Sequence, residues 1–173
     1  MTDATRRTEI SCRLARTRDA HLLARMSRDY IETDLGWSWR ANRIDRFIQA
    51  PDSVVVCAEQ RQDVTSKPCT LYGFAIMEFG LDKAHLNLLA VAPAARRQGI
   101  ARMLLGWLER SAEVAGTYTI DLEVRATNVA AQQFYAALGY QLKRTLPGYY
   151  NGRETAYHFQ KRLFEARGDT AQS

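Results

Sequence analysis

The chain has 173 residues, 46% of them apolar, with 24 Lys and Arg against 19 Asp and Glu, a net charge of +5 and an isoelectric point near 9.3. That length fits one domain with a real core, here expected over residues 8–164 between mobile tails at 1–7 and 165–173. No apolar run approaches the roughly 18 residues of a membrane span, and MTDATRRTEI lacks the apolar middle of a signal peptide, so the expected compartment is the cytoplasm, with no membrane partner. The basic balance suits a polyphosphate ligand. It makes only a weak case for nucleic acid, because there is no long basic run and no recognised nucleic-acid motif. Cys12, Cys57 and Cys69 are odd in number and widely spaced, without a C-x-x-C, so neither a disulfide frame nor a metal site is expected.

Glu9 to Ala15 reads as a first strand. Thr17 is placed to cap a helix from about Arg18 to Tyr30, with Leu22, Leu23, Met26 and Tyr30 on one face. Glu32 to Arg40 is a loop carrying Trp37 and Trp39, which either pack under the loop or line a binding groove. Ala41 to Gln49 gives a short helix through Ile44, Phe47 and Ile48, stopped by Pro51. Ser53 to Glu59 is an apolar strand, Gln60 to Pro68 a polar hairpin loop, Thr70 to Phe79 the next strand, and His85 to Val91 the one after.

Leu88 to Glu109 organises the rest. An apolar run, Leu88-Leu89-Ala90-Val91, ends at Pro93, which has no N–H to donate. A basic turn follows, Arg96-Arg97-Gln98-Gly99-Ile100-Ala101. Then Ile100, Met103, Leu104, Trp107 and Leu108 recur at helical spacing, up to a stop near Gly116. The first N–H groups of a helix lack intrahelical partners and sit at its positive pole, which makes a ready anion site. Gly99 lets backbone approach a ligand, and Arg96, Arg97 and Arg102 add positive charge. A basic first turn opposes the helix dipole, and a bound anion would remove that penalty. Neither G-x-x-x-x-G-K-[ST] nor G-x-G-x-x-G is present.

Tyr118 to Val124 is the next strand. Asn128 or Thr127 can cap a helix through Ala131, Phe134, Tyr135 and Leu138 that stops at Gly139. Tyr140 to Leu146 is a strand, Pro147 to Gly152 a hairpin loop holding Tyr149 and Tyr150, and Glu154 to Phe164 the last strand. A meander followed by a strand-helix-strand unit implies an α/β (α+β) fold: a central mixed sheet with helices on both faces.

The turn resembles the R/Q-x-x-G-x-G/A signature of the GNAT acyltransferases, and the element order resembles their fold. That fold has a mostly antiparallel seven-stranded sheet with a splay between its fourth and fifth strands. The resemblance implies that Arg96, Arg97, Gln98, Gly99, Ile100, Ala101 and Arg102 hold the pyrophosphate of acetyl-CoA. It also implies that Leu89, Ala90 and Val91 contact pantetheine, inserted where Leu88–Val91 and Tyr118–Val124 splay. The stretch LEVRATNVAAQQFYAALGYQ, Leu122 to Gln141, is similar to the second motif of the family, above all in its ribosomal-protein alanine N-acetyltransferase branch. There Glu123 matches the general base, Tyr135 the general acid and Asn128 a cofactor contact. GYYNGRETA, Gly148 to Ala156, matches the paired tyrosines and G-R-E-x-A placed over a substrate peptide, so Tyr149 and Tyr150, with the loop of Trp37 and Trp39, are the candidate substrate contacts.

The residues themselves agree with that chemistry, since a phenol with pKa about 10 is a plausible donor to a leaving thiolate. They also allow plainer roles: Tyr135 as a core tyrosine, Glu123 in an ion pair with Arg125 or another arginine, Asn128 as a helix cap. His21, His85 and His158 show no mutual spacing and fall on no motif position, so they are read as surface or core residues. The expected activity is acetyl transfer from acetyl-CoA to a primary amine, a peptide or protein N-terminus ahead of a lysine side chain or a small amine, by a monomer or homodimer that binds neither metal nor nucleic acid. A non-catalytic acyl-CoA-binding module is disfavoured, because Glu123 and Tyr135 are both present.

Overall fold

The computed structural model describes residues 9–60 and 70–164. Both expected tails, Cys69 and all of the expected hairpin loop but Gln60 lie outside the described residues. In chain order the elements are β1 (Ile10–Leu14), α1 (Ala20–Tyr30), α2 (Ala41–Gln49), β2 (Ser53–Gln60), β3 (Leu71–Phe79), β4 (Lys83–Val91), α3 (Ile100–Val114), β5 (Thr119–Arg125), α4 (Val129–Ala137), β6 (Gln141–Tyr150) and β7 (Glu154–Arg162). Short 3-10 turns precede α1 and α3. The strands form one seven-stranded sheet in the order β1-β2-β3-β4-β5-β7-β6, and its parallel pair is β4 with β5. The residues fall into two compact units, and β3, β4 and α3 each run through both.

The first unit is Met1–Ile76 with Leu88–Leu108. β1 pairs antiparallel with β2, from Ile10↔Gln60 to Leu14↔Val56. The core gathers Leu23 and Met26 of α1, Ile44 of α2, Cys57, Phe74 and Ile76 of the strands, and Leu88 and Ala90 of β4. Leu22, Tyr30, Phe47 and Ile48 pack partly buried against it, as the helical spacing requires. Thr17 does not cap α1. It opens a 3-10 turn, Thr17–Asp19, because the Asp19 carboxylate takes the Arg16 N–H at 2.7 Å and Arg13 Nη1 at 2.7 Å. At Gly73 a Cβ would come within 2.7 Å of the Ala90 carbonyl oxygen and 3.2 Å of Leu104 Cδ1, so glycine there lets β3, β4 and α3 close up.

The second unit is Met77–Asn87 with Glu109–Ser173. From Ile120 on, β5 alternates: Ile120, Leu122 and Val124 are buried, while Asp121, Glu123 and Arg125 point to the other face. It pairs antiparallel with β7 along its whole length, from Thr119↔Arg162 to Arg125↔Ala156. With β4 the parallel ladder has only the pairs Lys83↔Thr119, Ala84↔Ile120 and His85↔Asp121. The ladder stops there, although β4 runs on to Val91 and β5 to Arg125. The first residues of β5, part of the expected splay, are therefore paired with β4.

One further expectation changes. Tyr149 and Tyr150 are the last residues of β6, not part of a loop, and the turn proper is Asn151–Arg153. Pro147 does not end the strand, because β6 is the edge of the sheet and its register shifts between Leu146 and Tyr150. An edge bulge is where a strand tolerates a residue without an N–H. Gly148 takes φ +65° in that bulge.

Candidate active site

The first unit carries the basic turn. β4 ends at Val91, and the Ala92 N–H closes on the Tyr72 carbonyl at 2.7 Å. Pro93–Ala95 makes a 3-10 turn. Arg96 Nε then donates back to the Val91 carbonyl at 3.2 Å and Gln98 Nε2 to that of Ala94 at 3.3 Å, which ties the turn to the strand it leaves. Arg97 and Gly99 both sit in the left-handed region, at φ +61° and +81°. Beyond its neighbours in the chain, nothing among the described residues lies within 4 Å of where a Gly99 Cβ would be, so backbone conformation, not packing, asks for glycine there. The Met103 N–H bonds to the Gly99 carbonyl at 2.9 Å, so the N–H groups of Ile100, Ala101 and Arg102 precede the helical ladder. Arg96, Arg97, Gln98 and Arg102 are exposed, while the Ile100 side chain is buried and can serve a ligand only through its backbone. The turn has what a pyrophosphate needs: unpaired donors, open space and three guanidinium groups. Ala90, on the preceding strand, is buried, with Leu89 and Val91 half-buried on either side of it.

In the same unit Trp39 is buried in the core, its ring 5.1 Å from that of Phe47 and under the Arg43 guanidinium at 3.9 Å. Trp37 is half-buried between the guanidinium groups of Arg28 and Arg40, at 5.4 and 4.9 Å, and donates from Nε1 to the Trp39 carbonyl at 3.1 Å. The buried Glu32 carboxylate holds the loop, taking the Ser38 N–H at 2.7 Å, the Trp39 N–H at 3.1 Å and the Ser27 hydroxyl at 3.1 Å. Of the two roles open to these tryptophans, packing under the loop is the one Trp39 has.

The second unit carries Glu123, Tyr135, Tyr149 and Tyr150. Arg125 pairs with Glu154 at 3.6 Å. The partners of Glu123 are His158, Nδ1 to Oε1 at 2.9 Å, and His85, Nε2 to Oε2 at 3.0 Å; burial and then the charge of Glu123 push the nearby Tyr149 phenol up. Strand register explains the meeting. His158 stands directly opposite Glu123 across β5 and β7, and His85 opposite Asp121 across β4 and β5, all on the face away from Leu122. His158 also reaches Asp121, Nε2 to Oδ1 at 3.6 Å, and Gln160 Nε2 donates to that oxygen at 2.7 Å. Burial alone would raise the Glu123 pKa, but the hydrogen bonds and charge of His85 and His158 outweigh it and hold the carboxyl below the usual range. The hydrogen bond to Glu123 raises the His85 imidazole above its ordinary value, against the opposing effect of burial.

Tyr135 lies on α4, whose start is fixed by Asn128 Oδ1 accepting the Ala131 N–H at 3.1 Å. Asn128 is therefore a helix cap, and its amide nitrogen is the part left for a ligand. Tyr135 is buried, edge-on to Phe134 and Tyr140 at 5.1 and 5.6 Å. Burial pushes its pKa far up, so it is a fully protonated phenol at neutral pH. Tyr149 and Tyr150 meet edge to face at 5.0 Å, and the Arg125 guanidinium lies over the Tyr150 ring at 5.8 Å. Burial pushes Tyr150 up to about 12.

Sequence reasoning missed His85 and His158. Spacing along the chain could not reveal them, but register could: G-R-E-T-A puts Ala156 against Arg125, and an antiparallel count of two then sets His158 on Glu123. Among the described residues no group of His, Cys, Asp and Glu is arranged to hold a metal ion.

A family model described as the acetyltransferase (GNAT) family matches residues 22–140. The [ribosomal protein bS18]-alanine N-acetyltransferase of Escherichia coli strain K12 is 43% identical over 86 residues, 48% of this chain and 58% of that protein. The N-alpha-acetyltransferase 20 of Dictyostelium discoideum is 38% identical over 104 residues, 59% of this chain and 60% of that protein. The chain thus spans under two thirds of the length of the curated relatives it matches. The crystal structure of the ribosomal-protein-S18-alanine N-acetyltransferase from Escherichia coli superposes with a TM-score of 0.77 at 26% identity, covering 95% of this chain and all of that one.

Proposed function

The chain belongs to the acetyltransferase (GNAT) family, and from that premise we propose that it transfers the acetyl group of acetyl-CoA to the α-amine of a peptide or protein N-terminus in a ternary complex. The turn from Arg96 to Arg102 would hold the pyrophosphate, and Leu89, Ala90 and Val91 the pantetheine. The observation that carries the chemistry is the carboxylate–imidazole cluster on Glu123 in the same unit as the protonated phenol of Tyr135. Acetyl transfer to an amine needs those two functions: a group that takes the proton of the attacking amine and a donor for the leaving thiolate. Two named relatives acting on N-termini, one on the alanine of a ribosomal protein, support the α-amine as acceptor.

Electrostatics favours the same acceptor. An α-amine has pKa about 7.7–8.0 and is roughly one third neutral near pH 7.5, whereas a lysine side chain at about 10.4 is neutral about one time in a thousand. A modest base then suffices for the α-amine. Tyr149 and Tyr150 would hydrogen-bond the first peptide units of the substrate. The test is mass spectrometry of peptides that offer both a free N-terminus and an internal lysine. Label is expected on the N-terminus, and label mainly on lysine, or turnover of small amines alone, would refute the assignment.

A further inference from the structure

Glu123 is already fully engaged. Each of its oxygens is met by an imidazole nitrogen, Oε1 by His158 Nδ1 at 2.9 Å and Oε2 by His85 Nε2 at 3.0 Å. Protonating that carboxylate would put a proton on an oxygen that faces an imidazole and weaken the attraction of both rings, so it is a poor place to put a proton. It is also enclosed: its side chain is 12% exposed, against 40% for His85. His158 is enclosed to the same degree, with a carboxylate at each ring nitrogen. Of the two imidazoles on Glu123, His85 is the one that reaches solvent, and its Nδ1 makes no hydrogen bond among the described residues.

On the acetyl-transfer reading above, we infer that His85 is the catalytic residue that takes the amine proton, at Nδ1, and that Glu123 is the positioning residue that holds its other nitrogen. A carboxylate on Nε2–H fixes the tautomer whose Nδ1 lone pair is free to accept a proton, the same division of labour by which a buried carboxylate serves an imidazole base elsewhere. The amine lone pair forms the C–N bond to the thioester carbonyl carbon. The amine proton passes to Nδ1, and its bonding pair stays on nitrogen. The C–S bond breaks with its pair on sulfur, and the thiolate takes the Tyr135 proton. His85 then returns its proton to water, and the tyrosinate regains one. The groups that bear on the His85 charge are Glu123 and Asp121 on β5 and Glu78 on β3. Behind them stand Lys83, 3.7 Å from Asp121, with His158 on β7 and Tyr149 on β6 against Glu123.

The experiment is the pH dependence of kcat at saturating peptide, so that titration of the free amine drops out. His85→Gln keeps an amide N–H for Glu123 but has no base. Its kcat should fall about 10²–10⁴-fold with the acidic limb gone, and peptide KM should move by less than about threefold. Added imidazole should restore part of the rate to His85→Gly. Glu123→Gln removes the anion that favours the imidazolium, so its acidic limb should move to lower pH while activity above the limb survives. A His85→Gln enzyme within about threefold of wild type overturns the role of His85 and leaves acetyl transfer standing. So does abolition of turnover at every pH in a folded Glu123→Gln. If Glu123→Gln does not fold, nitrogen NMR of wild-type His85 decides: a neutral ring protonated at Nε2 supports the role, one protonated at Nδ1 overturns it. No thiol release by the wild type from acetyl-CoA with any peptide or amine overturns acetyl transfer itself.

Discussion

Replacing Tyr135 with Phe separates chemistry from folding more cleanly than any other change in this site. The phenol is buried, and nothing among the described residues hydrogen-bonds its hydroxyl. Removing the oxygen therefore orphans no partner, and the ring keeps its edge-on contacts with Phe134 and Tyr140. Stability should change by less than about 1 kcal/mol, since the usual cost of such a deletion is the stranded partner. Turnover should fall about 10²–10⁴-fold if the phenol protonates the leaving thiolate. Each tenfold is about 1.4 kcal/mol, so the barrier should rise by about 3–5 kcal/mol with no matching loss of stability. The burial that raises the Tyr135 pKa also keeps it protonated throughout the working pH range. The assay is thiol release from acetyl-CoA at saturating peptide, run beside urea unfolding and a calorimetric acetyl-CoA titration. Turnover near wild type would show that water protonates the thiolate. Loss of turnover in step with loss of stability or of acetyl-CoA affinity would refute the acid role as well.

Arg97→Glu, or Gly99→Val at a backbone of φ +81°, should weaken acetyl-CoA binding about ten- to hundredfold, the scale of one lost charge-assisted hydrogen bond; unchanged affinity in calorimetry of either folded variant would refute the pyrophosphate role. Glu32→Ala should cost about 1–3 kcal/mol, because it strands the N–H groups of Ser38 and Trp39 in a buried loop; an unmoved urea midpoint followed by tryptophan fluorescence would show that the loop is held by packing alone. The Glu123–His85 pair should give stability a pH window. The carboxyl pKa is lowered, so its contribution is present above the unfolded value of 4.5 and lost as pH falls through the folded one. The imidazole pKa is raised, so its contribution is complete below the unfolded value of 6.5 and lost as pH rises through the folded one. The stability difference between wild type and Glu123→Gln should therefore be largest between those two values and shrink on both sides, and a difference flat from pH 3 to 9 would refute the coupling.

The local code carries most of the fold. Helix α2 appears over the residues its apolar spacing and Pro51 require, and Gly116 and Gly139 take the left-handed backbone that ends α3 and α4, at φ +75° and +88°. The departures come from long-range context. Thr17 loses its capping role because Arg13, six residues before Asp19, draws that carboxylate into its own hydrogen bonds. Pro147 and Gly148 look like a turn when read locally, yet they continue β6. The strand is at the sheet edge, where a missing N–H costs no ladder bond, and the bulge absorbs the left-handed glycine. Whether a proline breaks a strand depends on where the strand lies in the sheet, and no window of ten residues holds that information.

The site divides along the same line. The basic turn and the tyrosine helix are contiguous in the chain, so a single segment fixes their geometry and their motifs can be read directly. The carboxylate–imidazole cluster is assembled from β4, β5 and β7, and what joins His85, Glu123 and His158 is register. A one-residue slip in either pairing would turn a histidine to the opposite face, among Ile120, Leu122 and Val124, where an imidazole would lose its carboxylate and be buried unpaired. The apolar alternation of β5 thus does two things at once. It locks the sheet face to face with the core, and by doing so it presents Asp121 and Glu123 as acceptors two residues apart, the spacing that His158 bridges with its two ring nitrogens. His158 lies enclosed between Glu123 and Asp121, which leaves the half-exposed His85 as the imidazole open to what arrives from solvent.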